Sequence, residues 1–404
     1  MEPETIVSSS RQIGKWLCVS SRGVILSGCL LFSLAGCSRL SPKPKAQYVY
    51  VTAKQTYLRD RVAAVSNRTA TVANGEKLQV LERGRRFMRV QTPQGEQGWI
   101  DEKAVAAQEI FDQFDTLRQG HEKDPVVANG VVRDDVYLHT KPGRDTDRLF
   151  RLLEGEKLKL LRRASVEKPL PPGQKAAVPP PPPAAAAGMK ATTPAAPVVP
   201  EPPAMEDWWL VRDSKGETGW LYSRMMDVDV PDSVARYSEG QRIVGAYVLT
   251  TVNDPEAPQD EKNIPFYVTV LSPYKAGLPY DFNQVRLFIW NVKKHRYETG
   301  FRERNIEGYL PVKTGTARDP YSKMPTGMVE APTFSYRVLA ADAGTVVPDP
   351  VTGEIRPGKT NLKTYRLEGN IVRRIVDPAA PPTEDAHPEP PPEKKKGAQA
   401  RRKH

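Results

Sequence analysis

Three short strings occur twice in this chain, in the same order. Thr56–Arg59 (TYLR) returns as Val136–His139 (VYLH), and Gly75–Leu81 (GEKLQVL) returns as Gly155–Leu161 (GEKLKLL), both 80 positions later. Gln94–Ile100 (QGEQGWI) returns as Lys215–Leu221 (KGETGWL), now 121 positions later. One structural plan is therefore used twice, and the second copy carries 41 extra residues between its GEKL and GW strings. Within a copy, KLQVLER and RFMRVQT alternate apolar and polar residues, the period of a half-buried strand. PQGEQG and SKGETG are Gly-bearing turns that return the chain as hairpins. A unit of this size with about five short strands closes into a small barrel.

The order of GEKL, W-x-x-V and G-x-x-GW resembles the bacterial Src-homology-3 domain. The resemblance covers roughly 47–103 and 128–230. It departs from that family's usual Asn-Val-Arg triplet, where this chain has Tyr57-Leu58-Arg59 and Tyr137-Leu138-His139. It implies small all-β barrels that bind peptidoglycan or a partner protein.

The extra residues of the second copy explain themselves. Thirteen prolines lie between Pro169 and Pro203. Proline cannot donate to a ladder and favours the polyproline II form, so 165–205 is expected as a disordered loop extruded from the second barrel. Between the copies, 104–127 is a helical linker. Asp101–Gly120 reads as one helix, with Ile110, Phe111, Phe114 and Leu117 as an apolar stripe that packs on a barrel and fixes the angle between the copies.

From 234 to 377 the chain stays strand-rich without repeating, in segments such as PFYVTVLS, QVRLFIWNV and FSYRVLAAD separated by turn clusters. The expectation is an antiparallel β-sandwich or barrel. Residues 378–404 are Pro-rich and then basic, the composition of a disordered tail. The fold class is all-β: two small barrels and a third β domain, with one linker helix and disordered Pro-rich segments.

The N-terminus addresses the chain to a membrane. Gly23–Gly36 is an uncharged apolar run behind Arg22, too short for a comfortable span and suited to a secretory leader over 1–36. It ends in Leu34-Ala35-Gly36-Cys37, which resembles a bacterial lipoprotein box, with 37–46 as a polar tether. The resemblance implies acylation of Cys37, and so an exported protein anchored in the lipid of the cell membrane or outer membrane. The whole layout resembles bacterial envelope lipoproteins.

All three cysteines, Cys18, Cys29 and Cys37, lie in this leader region. The later chain therefore holds no disulfide, thiolate metal site or Cys/His pair. The five histidines are scattered, with no metal-ligand spacing. No metal or cofactor is expected, and no enzymatic motif stands out. Gly353–Thr360 (GEIRPGKT) matches the phosphate-loop pattern, but Pro348 and Pro350 break the strand such a loop needs, and the alternating NLKTYRLEG follows where a helix should start. Pro357 removes one cradle N–H. The string reads as a connection between FSYRVLAAD and TYRLEG, and no nucleotide is expected.

Binding candidates remain. Tyr57 and Trp99 in the first copy, and Tyr137, Trp208, Trp220 and Tyr222 in the second, are candidate ligand platforms. Trp208 and Trp209 are adjacent on a strand and so point oppositely; Trp209 shares a face with Val211, which leaves Trp208 for solvent. Lys293, Lys294, Arg296, Arg302 and Arg304 form a candidate basic patch. With a net charge of +11, the partner is expected to be an anionic polymer, and export excludes nucleic acid. The function read from these features is a non-enzymatic, lipid-anchored module binding cell-wall polymer or a wall-associated partner. The alternative is a structural adaptor in an envelope complex, with the third domain and the Pro-rich insertion as contact surfaces.

Overall fold

The computed structural model describes residues 46–63, 65–169 and 203–388. The leader, Cys37, most of the tether, the middle of the Pro-rich insertion and residues 389–404 lie outside the described residues. The described chain is all-β: three antiparallel seven-stranded sheets, one linker helix, one further α-helical turn at Asp232–Ala235 and three short 3-10 turns.

The first sheet is built from β1 (Gln47–Val51), β2 (Gln55–Arg59), β3 (Arg68–Ala73), β4 (Lys77–Arg83), β5 (Phe87–Gln91), β6 (Gln97–Asp101) and β7 (Val105–Ala107). Its order is β3-β2-β6-β5-β4-β1-β7. The second uses β8 (Ala128–Val132), β9 (Val136–His139), β10 (Arg148–Leu152), β11 (Lys157–Glu167), β12 (Met205–Arg212), β13 (Thr218–Tyr222) and β14 (Met226–Val228). Its order, β10-β9-β13-β12-β11-β8-β14, is the same permutation. Each sheet wraps one apolar core, with Leu58, Leu78 and Ile100 in the first and Leu138, Leu158 and Leu221 in the second.

The repeated strings are where the two copies meet the same geometric demand. Gly75 and Gly155 turn the chain into β4 and β11 at φ of +82° and +80°, a conformation that costs other residues about 1 kcal/mol or more. Gly98 and Gly219 precede the GW tryptophans, where β6 and β13 cross β2 and β9 closely. A Cβ on either would lie 2.7 Å from the Cβ of Leu58 or Leu138. The Leu of the TYLR and VYLH strings thus fills the space that the Gly of GW vacates.

The helix, α1 (Gln108–Gly120), starts seven residues later than Asp101. Val105–Ala107 pairs with β1 instead, a partner more than fifty residues back that local periodicity does not reveal. The stripe does lie between the two copies. Phe111 stacks on Tyr50 of the first sheet with centroids 4.0 Å apart, and Phe114 meets Phe150 of the second edge-on at 5.1 Å. The Asn74 amide adds a direct tie, donating to Leu149 O at 2.9 Å and accepting from Arg151 N at 2.8 Å.

The third sheet is a meander of β15 (Arg242–Asn253), β16 (Asn263–Ser272), β17 (Phe282–Asn291), β18 (Arg296–Ala317), β19 (Ala331–Leu339), β20 (Thr360–Glu368) and β21 (Ile371–Ile375), in sequential order. β15 also packs on β18 and β19, so the sheet curls over a core that includes Val268, Phe282, Leu287 and Phe334.

Two boundaries move. The β11–β12 ladder continues to Glu167↔Met205, so the insertion starts beyond residue 167 and ends before 205. The tail expected to be disordered from 378 is held on the sheet further along: Ala341 N donates to Glu384 O at 3.0 Å, and Ala386 N to Leu339 O at 2.8 Å.

The second and third sheets are joined by a buried guanidinium. Arg163 on β11 donates to Asp281 Oδ1 at 2.8 Å and to the carbonyls of Leu278 and Tyr280 at 2.9 and 2.8 Å. The loop carrying GEIRPGKT lies along the same strand. Ser165 N donates to Gly353 O at 2.7 Å and Ile355 N to Arg163 O at 3.3 Å. Glu354, buried, accepts from Arg162 Nη1 at 3.2 Å. This string therefore straps the third domain to the edge of the second sheet. It runs straight into β20 rather than a helix, and Lys359 is paired with Asp342.

Candidate binding groove

The first sheet carries a groove of about 370 Å³ lined by Tyr57, Phe87 and Trp99, with Arg59, Arg61 and Val62 along its side. The three aromatics are half-buried: fixed by packing below and open above. Arg68 covers one face of Tyr57 at 3.8 Å from the ring centre. At one end, Asp101 accepts from Arg86 Nη2 at 3.1 Å. Its carboxyl is held below the usual range, first by the Lys103 amide and then by Arg86. Arg61 is exposed and has no carboxylate partner among the described residues. The groove thus offers aromatic faces for flat apolar surfaces such as sugar rings, flanked by guanidinium groups for carboxylates or phosphates.

The matching groove of the second sheet is filled. Trp208 stands at the position of Phe87 and Trp220 at that of Trp99, and they are 1% and 4% exposed. Trp208 was expected in solvent, and its burial has a clear cause. Trp208 and Leu210 on the outer face of β12 pack with Leu161, Trp220 and the half-buried Tyr222, with the His139 ring edge-on to Trp208 at 5.1 Å. The loop between β9 and β10 closes over it through Arg144, which donates to Glu206 at 3.0 Å and sits over the Tyr222 ring. Burial, then the nearby Arg148 charge, hold the His139 pKa below its ordinary value. Tyr137 lies apart, in a separate groove beside Ile110 and under Arg148.

Of the six aromatic candidates, only Tyr57 and Trp99 share an open groove. Their companion Phe87 was not singled out in the sequence, although the 121-residue offset aligns it with Trp208.

The basic patch does not form. Lys294 and Arg296 are drawn to Glu298 at 2.9 and 3.3 Å. Arg302 and Arg304, beyond a register shift in β18, are gathered with buried Arg286 around Glu239 at 2.6–3.2 Å. Lys293 is left exposed at the β17–β18 turn. Glu298 stands within the same stretch, whereas Glu239 lies some sixty residues earlier and is brought to Arg302 and Arg304 only by the fold. Among the described residues, no three His, Cys, Asp or Glu side chains cluster as metal ligands.

No protein-family model matches this chain, and no curated protein does. Solved structures it is similar to include NlpC2 from Trichomonas vaginalis (7% identity, 82% of this chain and 97% of that one, TM-score 0.14). Another is an NlpC/P60 family protein from Bacillus cereus (10% identity, 65% of this chain and 100% of that one, TM-score 0.20). Similarity at this level carries no argument about function.

Proposed function

We propose that this chain is a lipid-anchored, non-enzymatic binding module of the bacterial envelope, whose first barrel holds cell-wall polymer in the Tyr57–Phe87–Trp99 groove. The observation that carries the reading is the divergence of the two copies. The same groove is open and rimmed by arginine in one and packed shut in the other. A structural repeat with no binding role has no need of this difference, because half-buried aromatics and uncommitted guanidinium groups add little to stability. Acyl chains on Cys37, at about 0.8 kcal/mol per buried CH₂, would hold the module at the membrane. The second barrel and the third domain then serve as the frame.

The test is cosedimentation of the full chain, in mild detergent, with purified peptidoglycan sacculi at low and high salt. Retention at both is expected, since stacking on aromatic faces survives screening. Absence from the pellet at both salts contradicts the reading.

One observation favours the adaptor alternative. Tyr321, Met324, Met328 and Val329 are 44–63% exposed on one loop between β18 and β19, an apolar surface of the kind that contacts another protein. That alternative predicts stable co-purification with an envelope protein and no affinity for sacculi.

A further inference from the structure

A second concavity, of about 310 Å³, lies between the second and third sheets. Its charges do not balance. Asp207 and Asp281 line it, but both are already engaged by Arg163, at 3.5 and 2.8 Å. Arg133 on its rim is taken by Asp227. Three further cations reach the cleft from three separate elements: Arg224 from the turn between β13 and β14, Arg242 from β15, and Lys275 from the β16–β17 loop. None has a carboxylate within ion-pair distance among the described residues. Arg242 is the deepest commitment. Its guanidinium reaches only the Ser223 carbonyl and hydroxyl, both at a long 3.4 Å from one nitrogen. The remaining donors of a fork built for bidentate acceptors have no protein partner there. Tyr274, 71% exposed, lines the same cleft.

Arg242 is half-buried, Arg224 and Lys275 are exposed at the mouth, and the cleft as a whole keeps a surplus of positive charge. Desolvation, and then the unfavourable proximity of Arg163, push the Arg242 pKa down although Asp207 and Asp227 oppose this. A bound anion removes that penalty. Arg163, Arg224, Arg242 and Lys275 against Asp207 and Asp281 leave a surplus of two positive charges, which matches a dianion better than a single carboxylate. The volume is at the lower end of the roughly 300–1,000 Å³ of small-molecule sites, and the exposed tyrosine offers a flat face for a ring.

We propose that this cleft binds a phosphate monoester carried on a body the size of one sugar, with Arg242 at its base, Arg224 and Lys275 at its rim, and Tyr274 against the ring. The proposal is independent of the first-barrel groove, from which it shares no residue.

The full chain in mild detergent would be titrated with glucose 6-phosphate, glucose, inorganic phosphate and a water-soluble short-chain phosphatidic acid. The fluorescence of Trp209, which lines the cleft, gives the signal, with calorimetry as a second readout. Glucose 6-phosphate is expected to saturate below about 1 mM, inorganic phosphate to compete, and glucose to do nothing. The rim variant Arg224→Gln/Lys275→Gln removes no side-chain hydrogen bond or ion pair among the described residues, and is expected to weaken binding about tenfold or more with an unchanged Tm. Arg242→Gln is expected to abolish it. Overturning results are no saturation by glucose 6-phosphate, equal binding of glucose, or a rim variant that binds like the parent. Binding of the short-chain phosphatidic acid alone would also overturn the sugar-sized site, by placing the same monoester chemistry on a lipid headgroup.

Discussion

At the scale of single residues, the strings that repeat are those with no geometric freedom. Gly98 and Gly219 stand where a Cβ would lie 2.7 Å from a leucine Cβ, and for Gly98 the Arg59 carbonyl is a further 3.0 Å obstacle. Gly98→Ala is expected to lower stability by about 1–3 kcal/mol, read as a fall in the denaturant midpoint at unchanged slope. An unchanged midpoint would show that the crossing of β2 and β6 relaxes freely. A polar group inside the third domain makes a pH-dependent contribution. Glu303 accepts from Tyr365 at 2.7 Å and from Tyr336, and is paired with Lys363, which also holds Asp385 at 2.6 Å. Burial raises the Glu303 pKa, but the Lys363 and tyrosine hydrogen bonds outweigh it, and the net shift is downward from 4.5. Asp385 is likewise lowered from 3.8. The unfolded chain therefore takes up these protons first as pH falls. Their stabilisation is complete above about pH 5 and is lost as pH drops through the lowered folded values. Denaturant midpoints from pH 7 to 3 should fall less steeply in Glu303→Gln than in the parent; parallel curves would remove Glu303 from the account. Residue-scale reading of the sequence succeeded at the hairpin turns, where Gly95 and Gly216 take φ of +93° and +89°. It failed at Trp208, because strand alternation assigns one face to solvent and cannot see Tyr222, Leu161 and the Arg144–Glu206 closure arriving from elsewhere.

At the scale of elements, local signals and long-range pairing compete. The apolar stripe of α1 was legible from residue spacing, and its burial between Tyr50 and Phe150 follows from it. Its start was not, since the pairing of β7 with β1 withdraws Val105–Ala107 from the helix. The phosphate-loop string shows the same competition. Its prolines and the strand after it were readable, but its pairing with β11 was not. Glu354→Ala is expected to loosen this strap, leaving Arg162 with Asp124 alone. The Ser165 amide, which donates to Gly353, should then exchange with solvent at least about tenfold faster. Exchange unchanged in that variant would mean the backbone pairing holds without the buried carboxylate. The unbalanced cleft was invisible for a similar reason. Positions 224, 242 and 275 share no spacing, and only the packing of two sheets brings them together.

At the scale of the whole molecule, duplication followed by divergence organises the account. One barrel keeps an open aromatic groove; the other fills it, takes on the Pro-rich insertion at the tip of β11 and β12, and anchors the third domain through Arg163 and the strap. The all-β class and the twofold plan were legible from the sequence; that one groove is open and the other filled required the structure. The most direct test compares Trp99→Ala with Tyr222→Ala, one half-buried aromatic from each groove, for cosedimentation with sacculi at high salt, after both are shown to be folded by circular dichroism. Loss of binding in Trp99→Ala alone, with Tyr222→Ala retained like the parent, is the predicted result. Equal retention of both variants, or loss only in Tyr222→Ala, would contradict the assignment of binding to the first barrel.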